Sequence, residues 1–271
     1  MRAVRSRLDE VLVTRGLAAT RSAARGLIMA GLVQVGGKVS DKAGAAVAVD
    51  AEITVKARPR FVSRAGEKLA GALVVLDVYV AGRSALDVGA STGGFVDSLL
   101  QAGAARVIAL DVGHGQLDIR LRGDPKVHVM ERCNARYLGP SDLPYEPDLL
   151  TMDVSFISVR KVLPAVAACM SRCFDGIILV KPQFEAGAHQ VGKKGIVRDP
   201  DIHRQVLQET GRFVIEEAGL EVLGMCRSGV VGASGNREFF IRVGRGREKG
   251  VGLDRLEALV EECMRGGGSD G

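Results

Sequence analysis

Residues 84–95 read Ser-Ala-Leu-Asp-Val-Gly-Ala-Ser-Thr-Gly-Gly-Phe. A short apolar run reaches Asp87, passes through Gly89, Gly93 and Gly94, and enters an amphipathic stretch. There Phe95, Val96, Leu99 and Leu100 are apolar and Gly103 is the stop. Strand, glycine turn and helix N-terminus together restrict this part of the chain to a βα unit with a nucleotide-type pocket. Backbone can approach a ligand closely only where no Cβ intervenes. No Lys-Ser/Thr follows the glycines, so this is not a phosphate-gripping loop. The Gly89-x3-Gly93-Gly94 spacing is not that of a dinucleotide site either. An acid two positions before the first glycine suits a cationic amino-acid moiety such as that of S-adenosylmethionine. From these residues alone, an ordinary glycine-rich βα turn stays open beside a cofactor pocket.

The surrounding sequence extends the pattern. Pro59 breaks the strand before it, which predicts a linker at 59–63 between residues 1–58 and 64–271. Beyond the linker, 84–88, 106–111, 127–130, 148–153, 175–181, 221–227 and 238–243 read as strands. Residues 64–76, 93–102, 155–170, 201–218 and 253–265 read as helices. The alternation predicts an α/β class domain with a doubly wound, Rossmann-like sheet of seven strands. Asp87, Asp111, Asp153 and Lys181 each stand where an apolar strand stops. Ligands of an open parallel sheet bind outside the carboxyl ends of its strands, so these four side chains are expected on one edge. Glu238 begins its strand and joins them if that strand runs antiparallel.

Hydrophobic residues make up 46% of the chain and aromatics 4%, so the core is aliphatic. No run approaches the roughly 18–20 apolar residues of a membrane span. The N-terminal Met-Arg-Ala-Val-Arg-Ser-Arg lacks the apolar stretch of a signal peptide. Five scattered cysteines show no paired metal-ligand spacing, which suits reduced thiols in the cytoplasm and no metal centre. The Gly-Gly-Gly-Ser-Asp-Gly stretch at 266–271 reads as disordered.

Charge is segregated. Residues 1–60 hold 11 of the 37 Lys/Arg but only 5 of the 32 Asp/Glu, so the basic excess of the whole chain lies there. A basic module beside a near-neutral body points to a polyanion. Leu8, Val11 and Leu12 mark a helix that Gly16 ends, and Thr20 can cap a second one with Arg21 and Arg25 a turn apart. Residues 32–39 read as a hairpin about Gly36-Gly37, and 53–55 as a closing strand. Arg-Leu-Asp (7–9), Thr-Arg-Ser-Ala-Ala-Arg (20–25) and Gly-Leu-Val-Gln-Val-Gly-Gly-Lys-Val (31–39) resemble the S-four-type RNA-binding domain over residues 6–56. The resemblance implies a small α+β module in which Arg5, Arg7, Arg21, Arg25 and Lys42 face structured RNA. Such binding is led by phosphate and shape, because side chains cannot read the deep groove of an RNA helix.

Four further motifs carry chemistry. Ser63-Arg64-Ala65-Gly66-Glu67-Lys68 offers Lys68, and Met152-Asp153-Val154-Ser155-Phe156 offers Asp153. Val180-Lys181-Pro182-Gln183-Phe184-Glu185 offers Lys181, and Ser234-Gly235-Asn236-Arg237-Glu238 offers Glu238. With the glycine loop, they closely resemble the TlyA family of ribosomal RNA methyltransferases, the S-four-fused relatives of the FtsJ ribose methyltransferases, over about residues 6–245. The resemblance implies a Lys68–Asp153–Lys181–Glu238 tetrad that methylates a ribose 2′-hydroxyl, with S-adenosylmethionine as donor and ribosomal RNA within ribosomal subunits as partner. It further implies cytidines of the small or large subunit, or both, as targets. A ribose hydroxyl must lose its proton as it attacks, and only a neutral lysine accepts one. A second ammonium and partial burial favour the neutral amine, whereas adjacent carboxylates oppose it. Lys181 is therefore expected as the base, Lys68 as its tuner, and Asp153 and Glu238 as orienting groups.

Gly89, Ala90, Ser91 and Gly93 are expected to line the methionine end of the cofactor, with Asp87 close by. Asp111 suits ribose hydroxyls and Asn134 an adenine edge, although Asn134 reads equally as a turn residue. Phe156 can stack on a base or belong to the core, and Arg136 can meet phosphate. Where the family carries an aromatic Trp, the linker reads Arg58-Pro59-Arg60-Phe61, so coupling between the domains is open. A non-catalytic RNA-binding or ribosome-assembly factor remains the main alternative. A haemolysin and a nicotinamide-dependent oxidoreductase are weaker ones.

Overall fold

The computed structural model describes residues 4–57, 59–232, 234–246 and 248–266. The chain forms two compact units, Met1–Pro59 and Arg60–Gly271. The first contains β1 (Arg5–Arg7), α1 (Leu8–Thr14), α2 (Arg21–Met29), β2 (Val33–Val35), β3 (Lys38–Val39), β4 (Ala46–Ala48) and β5 (Ile53–Val55). Strand β2 pairs antiparallel with both β3 and β5, and Leu8, Leu12, Ala24, Ile28 and Val33 are fully buried between helices and sheet. The Thr20 hydroxyl accepts from Ala23 N at 3.1 Å and caps α2, as the sequence predicts. The β1–β4 ladder was not foreseen, because Arg5-Ser6-Arg7 has no apolar alternation to announce a strand.

The second unit runs α3 (Arg64–Val75), β6 (Ser84–Val88), α4 (Gly94–Gln101), β7 (Arg106–Leu110), α5 (Ile119–Arg122), β8 (Val127–Met130), β9 (Leu149–Met152) and α6 (Leu163–Ala168). It continues through β10 (Phe174–Val180), α7 (Pro182–Glu185), α8 (Pro200–Glu216), β11 (Glu221–Arg227), β12 (Phe239–Arg245) and α9 (Leu253–Arg265). The sheet has seven strands in the order β11-β12-β10-β9-β6-β7-β8. Strand β12 is antiparallel to both its neighbours, and the remaining pairings are parallel. Alternate side chains supply two cores. Ala85, Val107, Ile177 and Leu179 pack with Leu69, Phe95 and Leu99 of α3 and α4. Leu86, Ile108, Leu150 and Ile178 pack with residues of α6, α8 and α9.

Two expectations need correction. The helix expected over 155–170 begins only at Leu163. Residues 155–158 form a loop in which Phe156 has φ +63°, and Val159–Lys161 is a 3₁₀ turn. Pro164 sits in the first turn of α6, where its missing N–H costs nothing. Glu185 also holds Val159 N (2.7 Å) and Ser158 Oγ (2.6 Å), which bends this segment toward α7. Gly266, placed in the disordered tail, closes α9 by donating to Glu262 O at 2.9 Å. Residues 267–271 of that stretch lie outside the described residues.

Candidate active site

Strand β6 is where the chain changes direction across the sheet, with β7 and β8 on one side and β9 and β10 on the other. The crevice at such a switch point is where open α/β sheets take ligands. The register pairing Val88 with Met152 sets Gly89 against Asp153. A Cβ on Gly89, at φ +87°, would lie 2.3 Å from the Asp153 carbonyl oxygen, so no other residue fits there. On the far side of the loop, a Cβ on Gly94 would lie 2.3 Å from Ser63 Oγ. The loop is therefore clamped between the exit of β9 and the start of α3.

A cavity of about 380 Å³ opens beside the loop, lined by Gly89, Ser91, Asp111, Asn134, Ser155 and Phe156 among others. A second, of about 250 Å³, is lined by Ala90, Ser91, Lys68 and Asp153 among others. Both Asp111 oxygens accept backbone donors, Ser91 N at 2.8 Å and Gly113 N at 2.6 Å, which fixes the loops on either side. Asn134 lines the larger cavity and also caps a 3₁₀ turn by accepting from Arg136 N at 3.1 Å, which makes it a turn residue with a place on the cavity wall. Asp87 is wholly buried. One oxygen accepts from Thr151 Oγ1 at 2.7 Å, and the other has no hydrogen-bond partner. Burial pushes its carboxyl up to about 8, against the Thr151 hydrogen bond and with Asp153 and Asp111 adding repulsion.

The four charged residues form two pairs. Lys68 Nζ donates to Glu238 Oε2 at 2.5 Å. Lys181 Nζ lies 2.6 Å from Asp153 Oδ1 and donates to Ser155 Oγ at 2.7 Å. The antiparallel register that joins Val180 to Phe239 puts Lys181 and Glu238 on the next rung, which brings Glu238 to this edge. Phe156 is 91% exposed, so it is not a core residue, and its ring lies 5.1 Å from that of Phe184. The sequence reading missed Ser155, Phe184 and Glu185. Only their position beside Asp153 and Lys181 marked them.

In the N-terminal unit the expected RNA-facing arginines gather on one acid. Asp9, fully buried, accepts from Arg7 at 3.0 Å, Arg21 at 3.4 Å and Arg25 at 3.2 Å. The hydrogen bond from Arg7 leads in holding the Asp9 carboxyl well below the usual carboxylate range. All three arginines keep about half their side-chain surface exposed. Arg5 donates to Ala46 O at 2.6 Å, and Lys42 is exposed in the loop before β4. Arg136 is exposed in the other unit, near the Tyr137 ring. Among the described residues no group of three or more His, Cys, Asp or Glu is arranged to hold a metal ion.

A doubly wound sheet that reverses only its last strand, and opens a glycine-cradled cavity at the switch point, is the frame of a methyltransferase-type α/β enzyme. Comparison with known proteins makes the assignment specific. The pattern of the FtsJ-like methyltransferases matches residues 61–245 and that of the S4 domain residues 6–53, and the chain belongs to the FtsJ-like methyltransferase family. It is 44% identical over 265 residues to the 16S/23S rRNA (cytidine-2'-O)-methyltransferase TlyA of Mycobacterium tuberculosis, covering 97% of this chain and 98% of that one. It is 45% identical over 267 residues to YqxC of Bacillus subtilis, provisionally named an rRNA methyltransferase, covering 98% and 94%. A solved structure from Streptococcus thermophilus, provisionally called a hemolysin, aligns with TM-score 0.71 at 38% identity and covers 96% of each chain.

Proposed function

We propose that this protein is an S-adenosylmethionine-dependent methyltransferase that modifies the 2′-hydroxyl of cytidine in ribosomal RNA, acting on ribosomal subunits in the cytoplasm. The observation that carries the reading is the Lys181–Asp153 pair beside the glycine-cradled cavity, with the Lys68–Glu238 pair next to it. The relatives with RNA-methyltransferase names span nearly the whole chain, and the S4 domain accounts for the basic N-terminal sixty residues. The residues fit the cofactor. Gly89 leaves room for close approach, Asp111 and Asn134 lie along the larger cavity, and the carboxyl of Asp87, buried beside the loop with one oxygen unpartnered, is one that a cofactor ammonium would draw into its ionised form. When bound, S-adenosylmethionine supplies a methyl group activated by a sulfonium.

Lys181, in its amine form, would take the proton of the ribose 2′-hydroxyl as that oxygen accepts the methyl group the bound cofactor supplies. Asp153 then stabilises the ammonium so formed at 2.6 Å. Lys68, held by Glu238, brings positive charge to the developing alkoxide. Exposed Phe156, beside Phe184, offers a ring on which the target base stacks. The half-exposed arginines around Asp9 meet RNA phosphates in a fixed fan.

Tritiated methyl transfer to purified unmethylated ribosomal subunits, with the modified nucleotide mapped, tests the reading. Incorporation at a cytidine ribose is expected, and none into either subunit overturns it. Lys181→Ala, expected to bind cofactor and RNA without transfer, separates it from a non-catalytic RNA-binding factor. Some relatives carry hemolysin names, and among the described residues no helix is long and apolar enough to cross a membrane.

A further inference from the structure

Lys181 meets its two neighbours differently. Asp153 Oδ1 is 2.6 Å from Nζ, an ion pair at close range, yet this buried oxygen makes no hydrogen bond of ordinary angle. Ser155 Oγ accepts from the same Nζ at 2.7 Å in good geometry. An ion pair without alignment fixes how far away a charge sits. A hydrogen bond also fixes the direction of the N–H. Rotation about the Cε–Nζ bond decides where the amine lone pair points, and Ser155 is the aligned acceptor on Lys181 among the described residues.

The location of Ser155 adds to this. It stands two residues after Asp153, on the wall of the larger cavity and open to solvent. The next residue, Phe156, has left-handed backbone at φ +63°, which costs a non-glycine residue on the order of 1–3 kcal/mol. The 153–158 turn is held against that strain from outside. Glu185, buried behind Lys181, takes Ser158 Oγ at 2.6 Å and Val159 N at 2.7 Å. The segment carrying Ser155 and the segment carrying Lys181 are thus stapled together, and the Ser155–Lys181 hydrogen bond sits inside the staple.

We propose that Ser155 is a positioning residue for methyl transfer: its hydroxyl takes one N–H of Lys181 and so aims the amine lone pair at the ribose hydroxyl. The proposal rests on Lys181 being the base. Without Ser155 the amine keeps its charge partner and loses its direction. Substrates then bind normally and react slowly, since misdirection by about an ångström can cost on the order of 100-fold in rate.

The test is single-turnover transfer of tritiated methyl from saturating S-adenosylmethionine to saturating unmodified ribosomal subunits, with Kd for each measured separately. Ser155→Ala is expected to lower the single-turnover rate 10- to 100-fold and to leave both Kd values within twofold. Ser155→Thr, which keeps the hydroxyl at an exposed position, is expected to restore at least a third of the rate. A Ser155→Ala rate within threefold of the parent, or a loss that Thr does not restore, overturns the proposal. So does a loss seen only as weaker binding, which is the mark of a cavity-wall residue. Lys181→Ala in the same assay keeps the two readings apart. If that variant is inactive and Ser155→Ala is normal, the role of Ser155 fails alone. If Lys181→Ala transfers normally, the base assignment beneath it fails.

Discussion

The two edges of the seven-stranded sheet use similar charged residues in opposite ways. Where the parallel strands begin, Arg83 donates to Asp148 (2.5 Å) and Asp175 (3.1 Å), Asp175 accepts from Arg242 (3.2 Å), and Arg242 reaches Glu248 (2.7 Å). Asp175 gives one oxygen to each guanidinium, which ties Arg83 and Arg242 together, while Arg242 Nε stays buried without a hydrogen bond. At the opposite edge, Asp87 and Asp153 each keep a buried oxygen without a hydrogen bond, and two cavities open beside them. Each edge buries a polar atom without a hydrogen bond, and the difference is space. Charges packed on one another brace the strands, whereas charges beside a cavity can meet a ligand.

Substitutions at each edge can break that contrast. The largest expected effect is at the open edge. Lys181→Met lowers single-turnover methyl transfer by about 1,000-fold, in line with loss of a general base, with an unchanged denaturation midpoint. A variant that instead unfolded early would make this edge a brace as well. At the closed edge, Asp175→Ala leaves two buried guanidinium groups facing each other and costs about 3 kcal/mol of stability. Urea denaturation reads that loss, and the folded fraction is expected to keep its transfer rate within twofold.

Asp87 sharpens the contrast through pH. Its carboxyl ordinarily titrates near 3.8 and is pushed up to about 8 in the fold. Below about pH 4 both folded and unfolded chains hold the proton and there is no penalty. As pH rises toward 8 the unfolded chain releases it while the folded chain does not, so the cofactor-free protein loses stability across that window. The loss is on the order of a few kcal/mol. Denaturation of the parent and of Asp87→Asn at pH 5 and pH 8 is expected to show that slope in the parent and a flatter one in the variant. Equal slopes would mean that Asp87 is ionised in the fold. The smallest effect belongs to the N-terminal unit. Arg21→Ala reduces the salt dependence of RNA binding by about one unit of log–log slope, and transfer at saturating RNA stays unchanged. No change in slope would leave Arg21 as a partner of Asp9 and Glu10 only.

Much of the frame was readable because local rules govern it. Apolar runs stopping at Asp87, Asp153 and Lys181 give strand ends, and the Thr20 cap and the Gly36-Gly37 turn act within a few residues of themselves. The misreading at 155–158 has a long-range cause. Residues 155–158 look helical alone and are pulled out of a helix by Glu185, some 27 positions away. Asp9, named in the sequence only as part of Arg-Leu-Asp, becomes the buried hub of Arg7, Arg21 and Arg25 only when α2 packs on α1.

The sequence by itself determined the kind of loop at 89–94, the strand ends that bear charge and the basic bias of the first sixty residues. Only the tertiary structure decided which charges pair. Lys181 shares its edge with Glu238 because β12 inserts antiparallel next to β10 in a register that makes Val180 face Phe239. It is aimed by Ser155 because two strand exits are stapled together. Propensity and patterning act over a turn or a strand, but an ion pair or an aligned hydrogen bond depends on distances that the whole sheet sets at once.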